Sequence, residues 1–335
     1  MATARKYKVN LSETTVYHVV STCVRHTWLC GYDAQNNKDY EYRRRQIVAR
    51  MHYLASGFFI DLLEHNVLSN HYHILMKIAI KQALNASREE VVERYYSVSL
   101  AQGYTEVYKW YYGYQLSEGE HNKAMQDIEF FRERLTSLSW FMQKLNQPIA
   151  KQANAEDGMR GSRFWEGRFY SRGVYSNCQM LKCMIYIVLN KVHANMISKP
   201  ELDQHTGLFE RLNQQLTDSQ TLLEQGLPEF KNNRLAQYNI PVNALEPFLG
   251  NESAEDERGI PFSFVDYCTL VDSFARIKRD DKSGHLDSNA QSILQRLGLP
   301  NPRDSLSLLS EIESFDPLYY TKAQRDQAKE LTNLA

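Results

Sequence analysis

The chain has 335 residues, 43% hydrophobic and 24% charged, with a formal net charge of −1. That is the composition of a globular protein with room for one large domain and an appendage. No run of about eighteen or more apolar residues occurs, and the opening MATARKYKVNLSETT has no apolar h-region, so membrane helices and export are not expected and a cytoplasmic location is.

The five cysteines are an odd number and lack CxxC spacing, which fits neither a disulfide framework nor a zinc ribbon. The small net charge hides a division. Residues 1–200 hold 26 Lys+Arg against 18 Asp+Glu, and residues 201–335 hold 13 against 22. A basic first part and an acidic second part suggest that only the first faces a polyanion. A solvated surface would give the same +8, so charge alone leaves nucleic-acid binding open.

In chain order, TVYHVVSTCVRH (15–26) is rich in β-branched and aromatic residues and reads as a strand. YEYRRRQIVARMHYLASGF has helical spacing, with Ile47, Met51 and Leu54 on one side and Arg43, Arg44, Arg45 and Arg50 elsewhere. FFIDLLEHNVLS and HYHILMKIA flank the turn-prone pair Ser69-Asn70 and predict a hairpin. Residues 81–125 are polar, helix-prone and tyrosine-rich, as an insertion would be. Residues 126–155 read as one long amphipathic helix with Phe131, Leu135, Leu138, Phe141 and Met142 on its apolar side. NAEDGMRGS is a loop, and RFWEGRFYSRGV reads as another strand. A helix follows over SNCQMLKCMIYIVLNKVHANM, N-capped by Ser176 or Asn177. Beyond about residue 205 the chain is polar, with helical patches broken by Pro241, Pro247 and NESAEDERG. This order lacks βαβ regularity and predicts α+β with an antiparallel sheet.

The chemistry centres on VLSNHYHILMKI (67–78). Side chains alternate along a strand, so His71, His73, Leu75 and Lys77 share one face, and Tyr72, Ile74, Met76 and Ile78 share the other. Two imidazoles on one face can hold one metal ion, although surface or hydrogen-bonded core histidines give the same pattern. Downstream, Lys182, Tyr186 and Asn190 fall four apart on one helical face. A tyrosine nucleophile and an amide oxygen there can reach one phosphate and one metal. In an apolar helix of a chain with 21 tyrosines, core packing is the plain alternative for Tyr186.

These residues carry a resemblance. The chain resembles the HUH (His-hydrophobe-His) single-tyrosine transposases, close to the REP-associated tyrosine transposases and the insertion-sequence-200 type. VYHVVSTCVRHTWLCG is similar to the family's opening strand, VLSNHYH to its histidine motif, SRFWEGRFYS to its Phe-Trp motif and YIVLNKVHANM to its tyrosine helix. IPFSFVDYCTLVD and ILQRLGL resemble the tail of a long bacterial subgroup. The resemblance implies a ferredoxin-like antiparallel sheet flanked by helices, the HUH nuclease fold, with a helical insertion and a mostly helical C-terminal region. The catalytic domain would comprise 1–80 and 126–205, with 81–125 inserted and 206–335 acidic.

It also implies metal ligation by His71, His73 and Asn190 and nucleophilic attack by Tyr186 on single-stranded DNA, giving a 5′-phosphotyrosine. The metal would be Mg²⁺ or Mn²⁺, the substrate a hairpin-bearing or palindromic single strand, and a homodimer is compatible with it. No nucleotide cofactor and no membrane are expected. When bound to DNA the protein would be nucleoid-associated. The family's Asn-Pro is Asn190-Lys191 here, and lysine lets the helix continue.

Arg163, Phe164, Trp165 and Arg168 interleave cations with aromatics, as base stacking and phosphate neutralisation require. Phe164 and Trp165 are equally suited to a strand core. Lys182 and Arg43, Arg44 and Arg45 are further candidate DNA contacts, and a triple arginine is also an ordinary solvated helix face. Two rivals stand beside this reading. One is a domesticated, non-cleaving binder of palindromic repeats. The other is an RNA-binding sheet, for which the RNP-type aromatic motif is lacking.

Overall fold

A computed structural model describes residues 11, 14–24, 29–34, 37–99, 103–213, 234–242, 245–250, 259–278, 283–287 and 289–297. Residues 25–28 of the opening motif, 251–258 of the acidic loop, 298–299 of the tail motif, and 214–233 and 300–335 of the region expected to be mostly helical lie outside the described residues.

Strand β1 (Val16–Thr22) is followed by a two-residue ribbon of β2 (Tyr32–Asp33) and β3 (Lys38–Asp39), then by helix α1 (Glu41–Gly57). Ile47, Met51 and Leu54 are buried, as their spacing requires. The Asp39 carboxylate accepts the Glu41 N–H at 2.8 Å and satisfies one of the free donors at the helix start. Strands β4 (Ile60–Val67) and β5 (His71–Ile78) form the expected hairpin. With β6 (Tyr170–Val174) they complete a four-stranded antiparallel sheet in the order β4-β5-β1-β6, the ferredoxin-like order of a split βαβ pair. The fold is therefore α+β, with an antiparallel sheet flanked by helices.

One face of the sheet carries Tyr17, Val19, Tyr72, Ile74, Met76 and Ile78, packed in one core with α1 and the intervening helices. Those helices are α2 (Ile80–Asn85), α3 (Arg88–Val98), α4 (Thr105–Tyr111), α5 (Glu118–Leu135) and α6 (Leu138–Glu156). The single helix expected over 126–155 is two. The chain breaks at Thr136-Ser137, where the Ser137 hydroxyl accepts the Trp140 N–H and the Leu135 carbonyl is taken by Phe59 N–H at 3.1 Å. A side-chain cap and a tertiary acceptor replace the helical bonds there. All five expected apolar positions are nevertheless buried. Helix α5 runs across the 125/126 division.

The other face is covered by α7 (Asn177–His193), N-capped by Ser176. The C-terminal region contributes a turn at Pro200–Leu202 against α7, α8 (Gly207–Asn213) against β4, α9 (Arg234–Gln237) against α1 and α3 on the first face, α10 (Phe264–Ala275) against the outer side of α7, and α11 (Ile293–Arg296) against α10. Leu270, Val271 and Tyr267 of α10 share a core with Met184, Ile187 and Val188 of α7. At Gly284, whose N–H donates to the His193 carbonyl at 3.1 Å, an added Cβ would stand 2.1 Å from Val192 O. The C-terminal segment reaches α7 because that residue has no side chain.

Strand β4 ends the sheet, yet all eight of its residues are buried. The Leu62 carbonyl accepts Glu246 N–H at 2.9 Å, and Val67 N–H donates to the His205 carbonyl at 3.3 Å. The C-terminal region thus closes an edge that would otherwise be open to pairing. A bulge between Leu62 and Glu64 resets the alternation, so that Asn66 shares the face of His73 and His65 that of Ile74.

Candidate active site

Register brings the histidines together. Val20 of β1 lies opposite both His73 of β5 and Tyr170 of β6, and Thr22 opposite His71. Cross-strand partners project to one side, so His18, His71, His73, Tyr170 and Arg172 share the face beneath α7. The His71 and His73 rings meet at 5.0 Å between centroids.

On α7, Lys182, Tyr186 and Asn190 are the partly exposed positions between Leu181 and His193, and every other residue there is buried. Their four-residue spacing makes one stripe, and it opens at the histidines. The Tyr186 ring meets His73 edge-on at 5.7 Å and His18 at 6.1 Å. Asn190 Nδ2 donates to His73 Nε2 at 3.3 Å.

The hydrogen bonds fix tautomers. With Nε2 accepting, neutral His73 carries its proton on Nδ1, which donates to His18 Nε2 at 3.0 Å. His71 Nδ1 donates to Asn70 Oδ1 at 2.7 Å, leaving a lone pair on Nε2. Burial keeps all three imidazoles uncharged. It lowers His71 below the ordinary histidine value, and it lowers His73 far below, helped by His18 and His71. It brings His18 down to about 4, with the Arg172 guanidinium adding to the effect. Neutral imidazoles with an oriented second nitrogen are the form that binds metals. His71 and His73 thus each keep an unprotonated Nε2, and Asn190 meets His73 through its amide nitrogen.

The sequence reading missed His18. It reaches His73 only across the β1–β5 register, and a lone histidine among valines gives no sign of that. Its Nε2 is bonded to the Nδ1 side of His73, so it orients that ring.

The remaining predicted residues are dispersed. The expected strand over Arg163–Val174 is a strand only from Tyr170. Before it, a single bridge joins Trp165 to Cys23. Phe164 is buried in the main core and offers no face to a base in this conformation. Trp165 is half-buried, with its indole N–H donated to the Asn146 carbonyl at 3.0 Å. Arg163 and Arg168 are exposed. Of the arginine triplet, Arg45 is exposed, whereas Arg43 and Arg44 are buried. Arg43 Nε donates to Glu156 at 3.0 Å. Arg44 binds Glu41 at 2.9 Å and also the Val67 carbonyl. Lys191, in place of the expected proline, continues α7 and pairs with Asp203 at 2.6 Å, both side chains being buried.

No model of a protein family matches the chain, and no curated protein does. A solved structure described as "Structure of the REP associates tyrosine transposase bound to a REP hairpin" is similar at 9% identity and a TM-score of 0.37, over 64% of this chain and 88% of that chain. At that TM-score the likeness carries no weight for function, which rests on the side chains above. Among the described residues, no helix is long and apolar enough to cross a membrane.

Proposed function

We propose that this protein is a metal-dependent nickase and strand transferase for hairpin-bearing single-stranded DNA, with Tyr186 as nucleophile. The observation that carries the reading is the half-open stripe on α7, which is otherwise buried from Leu181 to His193. A tyrosine and an amide on that stripe meet a pair of neutral histidines. Polar residues on the accessible strip of an amphipathic helix are ordinary; what goes beyond that is the meeting of Tyr186 and Asn190 with a buried histidine of the facing strand.

His71 and His73 would hold a divalent ion through Nε2. Asn190 would complete the protein ligands by turning its amide so that Oδ1 replaces Nδ2. Mixed imidazole and oxygen ligation suits Mn²⁺, and Mg²⁺ by abundance. When bound, the ion supplies charge stabilisation to the phosphate oxygens.

The Tyr186 oxygen forms a bond to phosphorus as the bond to the 3′ oxygen breaks. The phenol proton is given up and the leaving oxygen takes one, so a 5′-phosphotyrosine and a free 3′-hydroxyl result. The covalent link conserves the phosphoester, so rejoining needs no nucleotide. His18 keeps the His73 lone pair directed at the site. On this reading residues 1–80 and 126–205 carry the chemistry, 81–125 is an insertion, and the acidic 206–335 stays off the DNA. Arg163, Arg168, Arg45 and Lys182 are the cations proposed to meet the strand.

The test uses labelled single-stranded hairpins from the flanks of the gene, with and without Mn²⁺. The parent should cut only with metal, and the His71→Ala/His73→Ala double variant should not cut at all. Tight binding without cutting under every metal would favour the non-cleaving binder instead.

A further inference from the structure

On the opposite side of the sheet, away from His71 and His73, three elements bring titratable groups together in the interior. His52 comes from α1, His65 from β4 and Glu210 from α8, and each is at most 4% exposed. His52 Nε2 lies 3.1 Å from Glu210 Oε2, and His65 Nε2 lies 3.3 Å from Glu210 Oε1. The two rings meet edge-to-face at 6.0 Å. One donor atom from each residue falls within 4.8 Å of the others, and this is the group of three or more His, Cys, Asp or Glu among the described residues for which that holds.

Hydrogen bonding alone leaves the cluster incomplete. His65 is wholly buried, yet neither ring nitrogen has a hydrogen-bond partner. The Nε2 is close to the carboxylate but misaligned for a bond, and Nδ1 has nothing. A buried imidazole without a partner is rare and costly. The neighbouring Glu64 does not meet the need. Glu64, beside it in sequence, turns to Arg211 at 3.3 Å and to its own neighbour's backbone N–H at 2.9 Å.

We infer that His52, His65 and Glu210 form a second divalent-metal site, structural in character and of the zinc class. Two imidazoles and a carboxylate are a zinc donor set, and tetrahedral coordination at about 2.0–2.1 Å places neighbouring ligands roughly 3.3 Å apart. The observed separations of 3.1 and 3.3 Å are already close to that edge. The His65 Nε2 lone pair would gain the partner it lacks. Both carboxylate oxygens face the imidazoles, so the ion need draw on no group outside the cluster beyond a water. Burial that pushes the Glu210 carboxyl up is outweighed by the two imidazoles, which hold it below the ordinary carboxylate range. Such a site would staple α8, and with it the C-terminal region, to the α1 side of the sheet.

A site this closed loads during folding. The test is therefore made on full-length protein in the His71→Ala/His73→Ala background, refolded with Zn²⁺, desalted and measured for bound metal. The expected result is about one equivalent retained per chain, with a lower Tm after stripping by a strong chelator. In the same background, Glu210→Gln keeps the shape but removes the anionic ligand and should lose that equivalent. No retained metal in a folded double variant, or full retention after Glu210→Gln, would overturn the inference. If Glu210→Gln does not fold, chelation of its folded parent decides: an unchanged Tm and no released zinc would refute it. Neither outcome depends on whether the protein cuts DNA.

Discussion

His18 Nε2 accepts a hydrogen bond from His73 Nδ1 at 3.0 Å, and the two rings stack at 5.2 Å. This bond makes His73 present an unprotonated Nε2 to Asn190 and the site, and it comes from a strand that supplies no proposed ligand.

Replacing His18 with Phe keeps ring packing but removes the acceptor. Divalent affinity at the His71/His73 site should fall about 10–100-fold, as loss of an orienting partner usually does. Cleavage should be recovered at high Mn²⁺, which loss of a ligand would not allow. Calorimetry and Mn²⁺-dependent rates separate the two. Unchanged affinity in the Phe variant would contradict an orienting role.

The pair of Lys191 and Asp203 explains why α7 tolerates lysine where proline was expected. Both ends are buried, and burial lowers Lys191 despite its partner. Removing one end leaves an uncompensated charge, so Lys191→Met should cost about 3–5 kcal/mol in urea unfolding. Adding Asp203→Leu should restore most of it. If the double variant is less stable than Lys191→Met alone, the pair is not acting as assigned.

His205 gives a sign for pH dependence. Burial, with Arg44 and Lys191 nearby, depresses it to about 3, although Glu41 lies 3.2 Å from its Nε2. Glu41 is half exposed and does not offset the burial. As pH falls through the ordinary histidine range, the unfolded chain takes up a proton that the folded chain refuses. Stability should therefore be level above about pH 7 and decline towards pH 4, with His205 adding a slope of up to about 1.4 kcal/mol per pH unit. His205→Gln should flatten the decline. A parent that gains stability on acidification would show the sign to be wrong.

The C-terminal region is part of the core. Leu270 is fully buried in the α7–α10 core, so Leu270→Ala should cost about 2–5 kcal/mol. Deleting residues 206–335 would strip α7 and the β4 edge of their cover, and the truncated chain should aggregate. A soluble truncation with native circular dichroism would contradict this.

What could be read from the sequence was local. Alternation along β5 placed His71 and His73 opposite Tyr72 and Ile74, because a strand repeats every two residues. The four-residue spacing of Tyr186 and Asn190 placed them on one stripe of α7. What depended on distant partners could not be read. Arg43 is buried because Glu156 meets it, 113 residues away. His52 and Glu210 are 158 apart in the chain. The break at Ser137 did have a local sign, a serine cap, but an unbroken apolar pattern ran across it.

Tyr186 is the centre of the account, and Tyr170 is its sharpest competitor. Tyr170 is 53% exposed and shares the sheet face of the histidines; Tyr175 lies just beyond the same strand. The decisive measurement is peptide mapping of the covalent adduct trapped on a single-stranded hairpin with Mn²⁺. DNA should be found on the peptide carrying Tyr186. Tyr186→Phe should abolish the adduct while metal and hairpin binding persist, and Tyr170→Phe and Tyr175→Phe should leave it intact. An adduct on any other tyrosine, or one that survives in Tyr186→Phe, would contradict the account.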